Sequence, residues 1–361
     1  MTAVEVAWYG ADLRTGRIAE ELPALRATQA LPRRLSAVTS SNLDLALGGA
    51  PPEWEAATDP ARTLLVAVDT TTGIPLWGGI PLVRTGGSPD TVTIAAATPE
   101  AYLDRRYTAY TGTATDLTTI MSQVAQPLLT SGPPFSIDTT LSGTLADYTV
   151  LDTDDKTVLS CLQELDGMAG APEWTVDVVW GDAAQTRFAL VLRIRPTIGA
   201  VAAPGTLPAA VFDLPGCVAE YTLTESHERG KSANSVVARG EEQGAARLTS
   251  TAHTDTDLLA SGWCLWEHRY SPGAGITSTD QLDAHATQTL ALLRGGSPAW
   301  TVRAAASAAP RLGTEWALGD SVALVVDSSP RHPRGVTVLG RAYAWELDTA
   351  ADRVSPILLE D

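Results

Sequence analysis

The residues best suited to chemistry lie in short polar runs, and most of these explain themselves as turns or caps. Gly230-Lys231-Ser232 in "ERGKSAN" has the ending of a phosphate-binding loop. That loop needs another glycine five residues upstream, where Glu225 stands, and a carboxylate there repels the phosphate it should cradle. His253, Asp255 and Asp257 in "HTDTD" alternate, so on a strand they would share a face and could hold a cation. The plainer expectation is an exposed polar turn that caps the following "LLASGW". The run "DTDD" at 152–155 lacks the glycine and distal glutamate of a calcium loop and reads as a helix cap.

The remaining signals are weaker still. His227, His268, His285 and His332 belong to no H-E-x-x-H motif, and no G-x-S-x-G elbow occurs. Cys161, Cys217 and Cys264 are far apart and odd in number, which suits neither a disulfide framework nor a zinc site. With 42 acidic residues, a pair of carboxylates acting on a glycosidic bond cannot be picked out by spacing. The expectation is therefore no catalytic residue, no metal and no cofactor. Ten tryptophans leave a carbohydrate-binding face open as an alternative. However, Trp54, Trp174, Trp180, Trp300, Trp316 and Trp345 adjoin strand-like runs, where burial in a core or subunit interface is the commoner use.

The elements that would position these residues follow from composition and period. At 361 residues the chain is long enough for two or three domains, and its 44% apolar content suffices for real cores. A net charge of −17 excludes the basic stripe that duplex binding requires. The start "MTAVEVAWYG" has no basic region or long apolar segment, and no window reaches the length of a membrane span. Lys156 and Lys231 are the only lysines, a bias that points to a GC-rich genome.

Four segments emerge. Residues 1–108 read as a first β-barrel module, with strands at 64–69, 76–83 and 91–97 and a bulge or bend at Trp77-Gly78-Gly79. Residues 109–200 read as an α+β domain of helices and a hairpin. One helix carries Leu117, Ile120, Met121, Val124 and Leu128, broken near Pro127. A second carries Val158, Leu159, Leu162, Leu165 and Met168, with the acids at 152–155 capping its start. Residues 201–297 hold a connector, strands and a helix over 277–296. That helix has Leu282, Leu290 and Leu293 on one side, a capping box at Ser278 and Gln281, and a stop at Gly295-Gly296. Residues 298–361 return to strands as a second module, alone or as one domain with 211–297.

The two modules echo each other. Glu53-Trp54, Asp59, Val66 to Asp69 and Gly79 are matched by Glu315-Trp316, Asp320, Leu324 to Asp327 and Gly340. Strands drawn from a Val/Thr/Asp-rich alphabet also resemble one another by chance. The residues that define the repeat are Trp54, Asp69 and Gly79 against Trp316, Asp327 and Gly340. The expected fold class is α+β, mainly β: two related small β-barrel modules of hub or tube type around a helix-plus-hairpin α+β domain.

This layout resembles the minor tail proteins of siphophages infecting actinobacteria, which are related to the tail-tip or baseplate hub of long-tailed phages. The stretches that carry the resemblance are "LWGGIPLVRTGGSPDTVTIAAATPEAYLDRRY", "DDKTVLSCLQELDGMAGAPEWTVDV", "SANSVVARGEE" and "LGDSVALVVDSSPRHPRGVTVLGRAYAWELD". The resemblance implies a structural virion protein rather than an enzyme, made in the host cytoplasm and placed at the tail tip. It implies a homotrimer whose six modules seat on a six-fold tail tube, lining a channel through which DNA passes without specific binding. The implied partners are the distal tail protein or tail tube, the tape-measure protein, and receptor-binding or fibre proteins. Some hub relatives carry a peptidase or muralytic domain; ending at Asp361, this chain is expected to lack one. The hub of a contractile injection particle, a cell-wall carbohydrate-binding module and a peptidoglycan-degrading enzyme are the alternatives.

Overall fold

The computed structural model describes residues 4–168, 170–203, 205–243, 246–272 and 279–360. Met1–Gln163, Pro172–Tyr221 and Thr301–Asp361 form one compact unit, and Glu164–Ala171 with Thr222–Trp300 form another.

The chain begins with eight strands: β1 (Val6–Asp12), β2 (Ile18–Glu21), β3 (Leu25–Ala27), β4 (Leu31–Arg34), β5 (Ser40–Ala46), β6 (Thr63–Asp69), β7 (Pro75–Thr85) and β8 (Thr91–Ala97). Seven of them make a sheet in the order β2-β1-β6-β7-β8-β5-β3. The three strands expected between 64 and 97 are all present. Every residue of β6 is buried, which is why "TLLVAVD" shows a continuous apolar run instead of alternation. In β5 the pattern is alternate, with Ser41, Leu43 and Leu45 inside. The irregularity expected near Trp77 is real: Ala67 faces Trp77 but Val68 faces Pro75, leaving Leu76 as the extra residue of a bulge.

The next segment carries β9 (Tyr110–Asp116), α1 (Leu117–Val124), β10 (Phe135–Thr139), β11 (Leu145–Val150), α2 (Val158–Asp166), β12 (Glu173–Trp180) and β13 (Phe188–Arg195). Strands β12 and β13 form the expected antiparallel hairpin, β10 adds parallel to β13, and β9 pairs with β11. Asp116 caps α1 by accepting the Thr118 N–H at 2.9 Å. Pro127 falls in the 3-10 turn that follows the helix, where its missing N–H is harmless. The acids at 152–155 do not cap α2. Asp154 accepts the Leu151 N–H in a turn of its own, and the cap is Thr157, whose Oγ1 accepts the Ser160 N–H at 3.2 Å. A β-hydroxyl one residue before the helix outcompetes carboxylates lying further upstream.

After β14 (Ala210–Leu214) and β15 (Val218–Ser226), the chain builds the second unit. Here β16 (Ser235–Gln243) pairs with β17 (Ala246–Thr249), β18 (His253–Thr254) and β19 (Glu267–Tyr270), with the short helix α3 (Thr256–Ala260) between the last two. Helix α4 (Thr279–Leu293) packs Leu282 and Ala286 onto Ala233, Val236 and Ala238, and Leu290 and Leu293 border that cluster. The leucine stripe read from sequence is thus the core-facing stripe. Gly295 and Gly296 both adopt positive φ beyond it, as a helix stop requires. Ser278, the expected cap, lies outside the described residues.

The chain ends with β20 (Ser297–Ala305), β21 (Ser321–Val326), β22 (Val336–Asp348) and β23 (Arg353–Glu360). These join the earlier pair in a second sheet ordered β14-β21-β22-β23-β20-β15. Strand β4 is the exception to this division. It pairs antiparallel with β22, Leu31 opposite Leu347 and Arg34 opposite Ala344, so a strand from the start of the chain completes a sheet built at its end.

Arg33 in β4 is only 6% exposed. One guanidinium nitrogen donates to Thr175 Oγ1 at 2.9 Å and to the Val176 carbonyl at 3.0 Å. The same nitrogen lies 3.6 Å from Glu100 and 3.5 Å from Asp177. Glu100, fully buried, accepts the Val176 N–H at 3.0 Å. Removing one partner of such a pair strands a charge in a low-dielectric interior. Arg33→Met is therefore expected to cost about 3–5 kcal/mol in urea denaturation. Adding Glu100→Gln should restore a large part of it, because the amide keeps an acceptor for Val176 without the charge. A loss below about 1 kcal/mol for the single variant would show that the network is merely tolerated.

Candidate functional site

The sequence runs best suited to chemistry are occupied by structural bonds. Gly230 (φ +85) and Lys231 lie in a tight turn closed by the Lys231 N–H on the Glu228 carbonyl. Lys231 pairs with Glu228 at 3.1 Å, and Ser232 Oγ sits 3.1 Å from His227 Nδ1. His253 Nε2 is 2.9 Å from Asp283, and Thr251 donates to the same carboxylate from both its N–H and its hydroxyl. The His253 ring first, and Thr251 second, hold the Asp283 carboxyl below its ordinary range. Asp255 caps α3 by accepting the N–H groups of Asp257 and Leu258, and Arg294 bonds it at 2.6 Å. The capping expected of "HTDTD" is present, but the run is not an exposed turn: His253 lies on the short strand β18 and the Asp255 side chain is only 8% exposed. Among the described residues no group of three His, Cys, Asp or Glu side chains converges on a cation position.

One polar cluster was invisible in the sequence. The Tyr221 hydroxyl lies 2.5 Å from Ser329 Oγ and 2.6 Å from His332 Nδ1. The Ser329 hydroxyl also accepts the His332 N–H, so the trio fastens the β21–β22 turn to β15. No short-range spacing signals it, because Tyr221 is over a hundred residues away in the chain from Ser329 and His332.

The repeat-defining residues fall in two classes. Gly79 in β7 faces Leu65 of β6, and Gly340 in β22 faces Val322 of β21. A Cβ on Gly79 would meet the Trp77 ring, and one on Gly340 would come 2.5 Å from the Leu359 carbonyl oxygen. Asp69 ends β6, and Asp327 follows the last residue of β21, each at the start of a hairpin turn. Asp69 is buried and accepts the Thr71 N–H at 2.8 Å, whereas Asp327 is exposed and donates its N–H to Leu214. The tryptophans differ more. Trp54 is half-buried beneath the Arg84 guanidinium, 5.6 Å from its ring centre. Trp316 is buried, edge-on to Phe212, with its indole N–H on the Pro310 carbonyl. The structure therefore brings none of the six into a common site.

No protein-family model matches the chain, and no curated protein sequence does. Solved structures do. A tail protein from Neisseria meningitidis MC58 shares 11% identity at a TM-score of 0.63, over 100% of this chain and 97% of its own. The 43 kDa tail protein of prophage MuSo2 from Shewanella oneidensis shares 13% identity at a TM-score of 0.62, over 99% and 98%. Prophage tail protein gp18 from Listeria monocytogenes EGD-e shares 12% at 0.55, over 98% and 94%. The chain has a phage tail-protein fold.

In this tail-protein fold, Trp8, Trp77, Trp174, Trp300, Trp316 and Trp345 are buried, as their strand positions suggested for four of them. Trp263 and Trp266 are the exposed pair, 38% and 43%, flanking exposed Leu265, with the His227 ring 5.3 and 6.4 Å away. The matched glycines generate a graded expectation. Gly340→Ala pushes against backbone and should cost about 2–3 kcal/mol in thermal or urea unfolding. Gly79→Ala pushes only against an indole. It should cost less and shift the Trp77 contribution to the fluorescence spectrum. Equal, negligible costs would show that neither close approach matters.

Proposed function

We infer that the chain is a structural hub of the tail tip in a long-tailed phage, built from two related β-modules and assembled as a homotrimer. The observation that carries this reading is the strand order of the two sheets. Leaving aside β2, the first runs β1-β6-β7-β8-β5-β3 and the second β14-β21-β22-β23-β20-β15. Rank the strands of each by chain order and both read first, fourth, fifth, sixth, third, second. Random association of six strands rarely repeats such an order, and each half has the same meander followed by the same return. The halves diverge at one end, where β1 runs antiparallel to β6 but β14 runs parallel to β21.

Three copies of a twice-built module present six similar surfaces, so a trimer can seat on a six-fold tube without a mismatch of contacts. The first module spans 1–108. The second joins 298–361 to β14 and β15, with the remaining segments inserted. The charge of −17 suits a lumen that a genome must slide through, since a wall of carboxylates releases no counterions from DNA. The tube and distal tail protein on one side, the tape-measure protein within and fibre or receptor-binding proteins on the other are the partners of such a hub. A glycan-binding role in the cell wall would rest on Trp263 and Trp266, the exposed pair, and their double alanine variant would abolish glycan pull-down if it held.

Electron microscopy of intact tails decides the main reading. Three copies are expected at the distal end of the tube, with the two sheets of each copy placed about 60° apart around the axis, as six-fold mimicry demands. Six copies per ring, or copies along the shaft, would overturn it.

A further inference from the structure

We propose that the free edge of β12 at Val178 and Trp180 is a strand-addition site for a neutral, extended peptide segment from a neighbouring tail protein, with one large apolar side chain seated in the adjoining cavity. The proposal deepens the hub reading by naming where another chain attaches.

Strand β12 lies at the edge of its sheet, bonded on one side to β13. In an antiparallel pair alternate residues point their N–H and C=O away from the partner. Trp174 and Val176 are such residues, and both are capped. The Trp174 carbonyl accepts the Ser36 N–H and its own N–H donates to Ser36 Oγ. The Val176 N–H goes to Glu100, and its carbonyl accepts from Arg33. Val178 and Trp180 continue the series, and among the described residues nothing bonds their outward backbone groups. Backbone groups left unpaired at a sheet edge are a template for another strand.

A cavity of about 360 Å³ adjoins this part of the edge. That volume falls in the range of about 300–1,000 Å³ typical of ligand sites. Trp77, Trp180, Trp345 and Leu318 supply apolar walls, and Arg33 lines the floor. The Arg33 Nε, within a side chain 94% removed from solvent, has no hydrogen-bond partner and is a donor for an incoming carbonyl. Charge selects the class of occupant. Arg33 and Arg193 are matched by Glu100 and Asp177, with Arg193 bonded to Asp177 at 2.6 Å. A charged ligand would meet like and opposite charge together, so a neutral apolar one fits. The free edge demands a peptide backbone rather than a lipid or a sugar.

The test is hydrogen exchange on the full chain with two capped tripeptides as probes, valyl-phenylalanyl-valine and its aspartate-centred counterpart, each at about 1 mM. In the free protein the Val178 and Trp180 amides should exchange quickly. The phenylalanine probe should slow both at least tenfold, and the aspartate probe should not. Ala317→Trp, which fills the cavity from its exposed rim, should weaken binding at least tenfold with an unchanged melting temperature. No binding, binding without protection of the two amides, or equal binding of both probes would overturn the proposal. Sedimentation adds the remaining arm. If Ala317→Trp lowers the oligomeric mass of the chain, the occupant is a second copy and the assignment to another protein fails. The peptide result stands apart from the copy number at the tail tip, so the two readings fail separately.

Discussion

A buried guanidinium is the constraint on which the halves of this molecule turn. Arg33 cannot stay inside without acceptors, and it finds them in the Glu100 and Asp177 carboxylates, the Thr175 hydroxyl and the Val176 carbonyl. Its own strand is meanwhile fixed to β22 by backbone pairing. The neighbouring Pro32 carbonyl accepts the Trp77 indole N–H at 3.1 Å, so the same four residues also reach into the first sheet. Three segments far apart in the chain thus share one small polar knot. Buried ion pairs seldom add net stability over apolar packing, but they penalise every arrangement that leaves a charge unpaired. The knot therefore sets which strand meets which.

That knot was not legible in the sequence. "LPRR" is short, half charged and without alternation, and an arginine in such a run reads as solvated. Its strand character comes from β22, some 300 residues later, and tertiary pairing overrides local signal. Where the physics is local, the sequence spoke clearly. The strands at 64–69 and 91–97, the hairpin of β12 and β13, and the stripe of Leu282, Leu290 and Leu293 on α4 all follow from period, turn residues and glycine stops. The bulge at Leu76 was visible because two glycines beside a tryptophan ask for room.

The echo between the halves was half legible for an instructive reason. In the two-module reading proposed above, glycine and aspartate keep their places because strand crowding and turn geometry are properties of the backbone, which a repeated fold would repeat. Tryptophan does not keep its environment, because side-chain surroundings depend on what each sheet packs against. Trp54 lies under Arg84 near solvent, and Trp316 lies against Phe212 inside. A motif that pairs the two by letter mistakes a shared position in the chain for a shared role. The strand order is the firmer likeness, since it survives replacement of every side chain.

The edge of β12 shows how the same chain manages the open side of a ladder. A sheet edge is hazardous when its amides are free, and here the hazard is met residue by residue. Ser36 closes Trp174, and Glu100 with Arg33 closes Val176, so the knot that ties the halves also blunts this edge. The blunting stops where the knot stops. Beyond it, Val178 packs against Gly78, where a Cβ would come 2.5 Å from Val178 Cγ2, and a cavity lies beside Val178 and Trp180. The same approach constrains the edge from behind: a side chain at Gly78 would push against Val178 and drive β12 away from the network that holds it.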